Sequence, residues 1–96
     1  MTIKKLIQKK DYDYISIRYT PPKKWYPDKD FAKLSPKELM EISEFMGCAE
    51  SRNGKLHALD GDLYNEDEEV LAFEEFVNKE KEIYAGLCVV LHGDYI

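Results

Sequence analysis

Leu87-Cys88-Val89-Val90-Leu91 is a continuous apolar stretch near the end of a 96-residue chain. Five apolar residues with no polar alternation fit a strand buried on both faces rather than one with a wet side. A chain of this length has room for a single core, so residues 1–96 read as one domain, and the other segments must supply neighbours for that strand. Its 44% hydrophobic and 12% aromatic content is sufficient for such a core and argues against bulk disorder.

Those neighbours can be located by local chemistry. Thr2 is placed to cap a short helix carrying Ile3, Leu6 and Ile7 on one side and Lys4, Lys5, Lys9 and Lys10 on the other. Residues 12–19 alternate, with Ile15, Ile17 and Tyr19 on one face and Tyr14, Ser16 and Arg18 on the other, which predicts a strand ended by Pro21-Pro22. Three prolines in residues 20–33 predict an irregular loop. Leu34-Ser35-Pro36-Lys37-Glu38-Leu39 combines Ser at the N-cap, Pro at N1 and Glu at N3 between two leucines. This capping box with a hydrophobic staple predicts a helix over 36–43 with Leu39, Ile42 and Met46 inward. Asn53-Gly54 predicts a hairpin, because a type I′ turn needs positive φ at both central residues. Strands over 46–52 and 55–59 would set Glu50 opposite His57 and Ala49 opposite Ala58, and Asp60-Gly61-Asp62 would turn the chain again.

Residues 66–85 admit two readings. On a helical wheel Val70, Phe73, Phe76, Val77 and Tyr84 cluster, acidic residues 66–69 suit a helix start, and Gly86 would end the element. The competing reading is a strand over 70–76 and a charged turn over 78–82. Periodicity favours the helix. The expected fold class is α+β: a small antiparallel sheet of four to five strands with one or two short helices on one face.

Net charge is −5, which excludes a uniformly basic nucleic-acid binder. The distribution is uneven: residues 1–40 carry a net +5 and residues 41–96 a net −10. Asp62, Glu66, Asp67, Glu68, Glu69, Glu74 and Glu75, with Asp60, place eight carboxylates within sixteen residues. Held rigidly, such a display imitates the phosphate spacing of nucleic acid and suits a partner with a basic surface. The basic half offers a different candidate. Lys23, Lys24, Trp25 and Tyr26, with Arg18, mix cations and flat aromatic surface, as modules that bind nucleotides, single strands or small ligands do. A metal-dependent enzyme is the third reading, through Asp60, Asp62 and Asp94 with His57 and His92 nearby. Asp-Gly pairs are turn formers first and EF-hand spacing is absent, so neither a metal nor another cofactor is assigned.

No nucleophile elbow, glycine-rich phosphate loop or activated-cysteine motif is present, so no catalytic residue is assigned. Cys48 and Cys88 lie in apolar contexts and form no zinc spacing; they read as small core residues in a reducing compartment. No apolar run is long enough to span a bilayer and residues 1–10 lack a signal-peptide core, which suggests a cytoplasmic protein with no membrane contact.

The pattern Leu59-Asp60-Gly61-Asp62-x-Tyr64, then Glu69-Val70-Leu71-x-Phe73-Glu74-Glu75-Phe76, then Gly86-Leu87-x-Val89-Val90 resembles a group of small proteins of Clostridia-like bacteria and their phages and mobile elements. No activity attaches to that group. By analogy with small acidic phage proteins, the resemblance implies a non-enzymatic interaction protein that inhibits a host nucleic-acid-handling or defence protein through the acidic stretch.

Overall fold

The computed structural model describes residues 1–61 and 64–93. The apolar run lies in strand β5 (Ile83–Leu91), which has a strand on each side. One neighbour is β1 (Tyr14–Tyr19) and the other is β4 (Val70–Asn78). Strands β2 (Glu44–Arg52) and β3 (Lys55–Ala58) extend the sheet beyond β1, giving the order β3-β2-β1-β5-β4. With helices α1 (Ile3–Lys9) and α2 (Pro36–Ile42) this is an α+β fold built on a five-strand sheet. The sheet is mixed: β1 and β5 run parallel, with Ile15 beside Leu87 and Ile17 beside Val89, and every other pair is antiparallel.

The two helices cover opposite faces, not one. Thr2 accepts a hydrogen bond from the Lys5 amide and starts α1, whose Ile3, Leu6 and Ile7 pack on Ile15, Ile17, Ala49, Leu87, Val89 and Leu91. On the second face α2 covers one end only, through Leu39 against Ala72 and Val90. Its start is the capping box: Ser35 Oγ accepts from the Glu38 amide, and Glu38 accepts from the Ser35 amide. Its end is held by Arg18, whose Nε donates to Ser43 Oγ and whose Nη2 donates to the Ser43 carbonyl, both at 2.7 Å. Met46, expected inward from this helix, stands exposed on β2 at the bulge where the β1–β2 register shifts.

The Asn53-Gly54 turn has positive φ at both residues, 54° and 74°. It sets Glu50 beside His57 and Ala49 beside Ala58. The ion pair of Glu50 is with Arg52, at 2.9 Å.

Of the two readings of residues 66–85, the helix favoured by periodicity does not form and the competing strand and charged turn do. Val70–Asn78 is a strand, Lys79–Lys81 a short 3-10 turn, and Ile83–Leu91 the returning strand. The wheel misled for a physical reason. Strand β4 lies at the sheet edge, with both its faces largely open, and the bulge between Val70 and Ala72 breaks the alternation that marks a strand, while the shift opposite Phe76–Asn78 places its extra residue in β5. Gly86 ends nothing; it sits within β5, where a Cβ would lie 2.7 Å from Phe76 Cζ, so its bareness lets the ring cross the strand.

Candidate binding surfaces

Half of the second sheet face lies beyond the reach of α2. There the alternation of β1 and β5 brings together Tyr14, Ser16 and Cys88, and the neighbouring strands add Phe45 and Phe76. They line an open groove of about 670 Å³, closed at one end by the hairpin residues Asn78–Ile83. Tyr14 and Phe76 meet edge to face over Gly86, with ring centroids 6.4 Å apart. Such pairs contribute about 0.5–1.5 kcal/mol beyond burial. Phe45 is 54% exposed. Glu82, at the groove end, has φ 59° and ψ 35°, a left-handed backbone for a residue with a side chain.

Both cysteines belong to this face and are half-buried, so neither is the core residue its apolar context suggested. Register sets Ser16 between them, beside Cys48 on β2 and Cys88 on β5. Two strand spacings put their Cα atoms roughly 9–10 Å apart, beyond the reach of a disulfide. Burial pushes the Cys88 thiol up, against the downward pull of Arg18 and of its contact with Ser16. Burial, with Cys48 next in weight, raises the Tyr14 hydroxyl too. A raised thiol is the opposite of an activated nucleophile.

The acidic residues are dispersed by the strand. Glu66 is built into the frame: its carboxylate accepts from the Leu56 amide at 2.8 Å and its carbonyl from the Lys4 amide. Glu69 pairs with the terminal amine of Met1. Asp67 and Glu68 lead into β4. Glu74 and Glu75 take opposite faces, because neighbouring strand residues must. Glu75 accepts from Tyr12 Oη at 2.5 Å and lies 3.4 Å from Lys10 Nζ; the Tyr12 bond, with Lys10 adding, holds its carboxyl below the usual range. Asp62 lies outside the described residues, as does Asp94. Asp60 accepts from the Cys48 amide and from Tyr64 Oη. Among the described residues no three His, Cys, Asp or Glu side chains converge as a metal-ligand set.

The basic aromatic loop is only partly a unit. Trp25 is 55% exposed, whereas Tyr26 meets Phe31 edge to face and Lys23 lies 5.0 Å above the same ring. Lys24 is exposed beside them, and Arg18 is committed to the end of α2. Lys23 and Phe31, with Thr20, Asp30, Leu71 and His92, border a hollow of about 320 Å³.

The surface that residue patterns did not single out is the outer strand. β4 is nine residues long and presents Leu71, Phe73 and Val77 at 40%, 43% and 61% exposure, among its glutamates. Also unforeseen was the clasp formed by Asp11-Tyr12-Asp13. Asp11 accepts from the amides of Asn53 and Gly54, Asp13 from those of Tyr84 and Ala85, and Tyr12 is buried between them. Two carboxylates flanking an aromatic residue just ahead of a strand were the available signal.

No helix among the described residues is long and apolar enough to cross a membrane. No family model, curated protein or solved structure matches the chain.

Proposed function

We propose that this is a non-enzymatic interaction protein that engages a partner with a basic surface through the β4 side of its sheet. The observation that carries the reading is the composition of that side: exposed Leu71, Phe73 and Val77 set among Asp67, Glu68, Glu69, Glu74 and Glu75. Apolar contact supplies affinity there, while the carboxylates steer a cationic partner and raise its association rate. Its narrower form is an inhibitor that occupies the basic site of a host nucleic-acid-handling or defence protein. Glu66 drops out of the contact set, since its carboxylate holds the Leu56 amide.

Affinity capture from a host lysate at low and high salt tests the proposal. Retained partners should be basic and should elute as ionic strength rises, because exposed charge pairs are screened within about a Debye length of ~8–10 Å. Replacing Glu68, Glu69 and Glu74 together by Gln should abolish retention. Equal retention by that variant refutes the acidic contact.

The groove supports a second reading, a small-ligand module. Its aromatic wall of Tyr14 and Phe76, with Phe45 open beside it, suits a flat ring. Trp25 does not line this groove, so Trp fluorescence reports on the basic aromatic loop alone. Quenching by nucleotides locates binding at the loop; shifts of the Tyr14 and Phe76 ring signals locate it in the groove.

A further inference from the structure

We propose that the outer edge of β4 receives an extended segment of the partner as a sixth strand, and that this segment alternates apolar residues with Lys or Arg. The inference rests on the interaction reading above and specifies its geometry.

The direction of the backbone groups carries it. Thr20 donates its amide to the Leu91 carbonyl and Asp13 to the Ala85 carbonyl, so these odd-numbered β5 residues address the β1 side. Strand alternation turns Val90, Cys88 and Gly86 toward β4, where they stand opposite Ala72, Glu74 and Phe76. The backbone N–H and C=O of Phe73, Glu75 and Val77 therefore point away from the sheet. At the other side of the bulge that shifts the alternation by one residue, Val70 stands opposite Leu91, which addresses β1, and accordingly its amide donates outward, to the Met1 carbonyl at 2.7 Å. Met1 and Thr2 thus cover the first residue of the edge, and among the described residues no strand lies beyond the rest.

This edge lacks most of the usual protections. Edge strands are ordinarily kept short, interrupted by Pro, or guarded by Lys. β4 has nine residues, roughly 30 Å of chain at the usual strand rise, with neither Pro nor Lys in it. The two register shifts against β5 lie toward its ends, leaving 72–76 in regular register.

Charge selects the occupant. A second copy of β4, paired antiparallel about its middle, would set Glu74 against its own equivalent and the two Glu75 residues on a diagonal of one face, and like charges directly opposite are destabilising. Residues 67–82 hold seven carboxylates against two lysines, so a strand carrying cations meets opposite charge along its length. Apolar residues on that strand would stand beside Phe73 and Val77.

A ten-residue peptide of alternating Val and Lys, titrated into the full chain, is the probe. Amide hydrogen exchange is read residue by residue at 50 and 500 mM NaCl. The expected result is at least tenfold slower exchange at Phe73, Glu75 and Val77 in the bound state, little change at Ala72, Glu74 and Phe76, and affinity at least tenfold weaker at the higher salt. Binding that leaves those three amides unprotected overturns strand addition but keeps a salt-sensitive acidic contact. Protection of the three amides with no salt dependence retains strand addition and overturns the acidic reading. No binding at either salt overturns strand addition by a basic segment; the lysate capture then decides the interaction reading separately.

Discussion

Gly86 and Phe76 form a pair whose coupling can be worked out from the structure. In Gly86→Ala the new Cβ would lie 2.7 Å from Phe76 Cζ and 2.8 Å from Cε1 and Cε2, so the ring must leave its place. Overpacking of this kind costs about 1–3 kcal/mol. Losing the Tyr14–Phe76 edge contact adds about 0.5–1.5 kcal/mol. Against these, Ala in a strand is favoured over Gly by about 0.5–1 kcal/mol, and the backbone here needs no positive φ. The net expectation is a loss of about 0.5–4 kcal/mol. In a chain of this size each kcal/mol moves Tm by about 4–8 °C. In a Phe76→Ala background the obstacle is gone, and the same Gly86→Ala change should be neutral or stabilising by up to about 1 kcal/mol. Urea unfolding of the four proteins in the cycle measures the difference. Equal effects of Gly86→Ala in both backgrounds would refute the claim that the ring crosses the strand at Gly86.

Three further outcomes are expected. Glu82→Gly should raise stability by up to about 1 kcal/mol, because a left-handed backbone is costly for any residue with a Cβ; a lower Tm would show that the Glu82 side chain itself holds the hairpin. Ser35→Ala should cost about 1 kcal/mol through loss of the α2 cap, read from thermal melts, and Ser35→Asp should recover most of it. Tyr12, pushed up to about 12 from 10.0 by burial and then by its bond to Glu75, contributes stability that is complete below pH 10 and lost as pH rises toward 12. Urea melts across that window should show wild type converging on Tyr12→Phe, and a constant gap between them would contradict the buried bond.

Much of the fold was legible because its signals are local. The Asn53-Gly54 turn fixes its own register, Ser35 and Glu38 cap each other three residues apart, and an uninterrupted apolar run can only be an interior strand. What was not legible depends on distant neighbours. That β1 and β5 run parallel follows from how the chain returns, which no window of residues states. Periodicity favours a helix over the strand that residues 70–78 form, because an edge strand carrying a bulge at Leu71 has lost its period of two; the competing strand and charged turn match the structure. The site suffered from the same error. On a helix face the glutamates would have gathered; on β4 Glu74 and Glu75 part to opposite sides, Glu66 is turned to a backbone amide, and the apolar residues between them become the exposed feature. Arg18 was a ligand candidate for its charge, yet its hydrogen bonds go to the last turn of a helix it approaches only in the folded state.

The parallel pairing of β1 with β5 also sets the order of events during folding. Tyr14 and Gly86 are neighbours in space although more than seventy residues of chain separate them. Contacts of that span are slow to form, because the entropy of closing so long a loop is lost before any contact repays it. During synthesis α1 and β1 emerge first, yet Ile15 and Ile17 gain the neighbours that bury them only once residues 83–91 have left the ribosome. Folding should therefore be nearly all-or-none, in the millisecond-to-second range of non-local sheets, with β1 unable to complete its core before β5 is available to it.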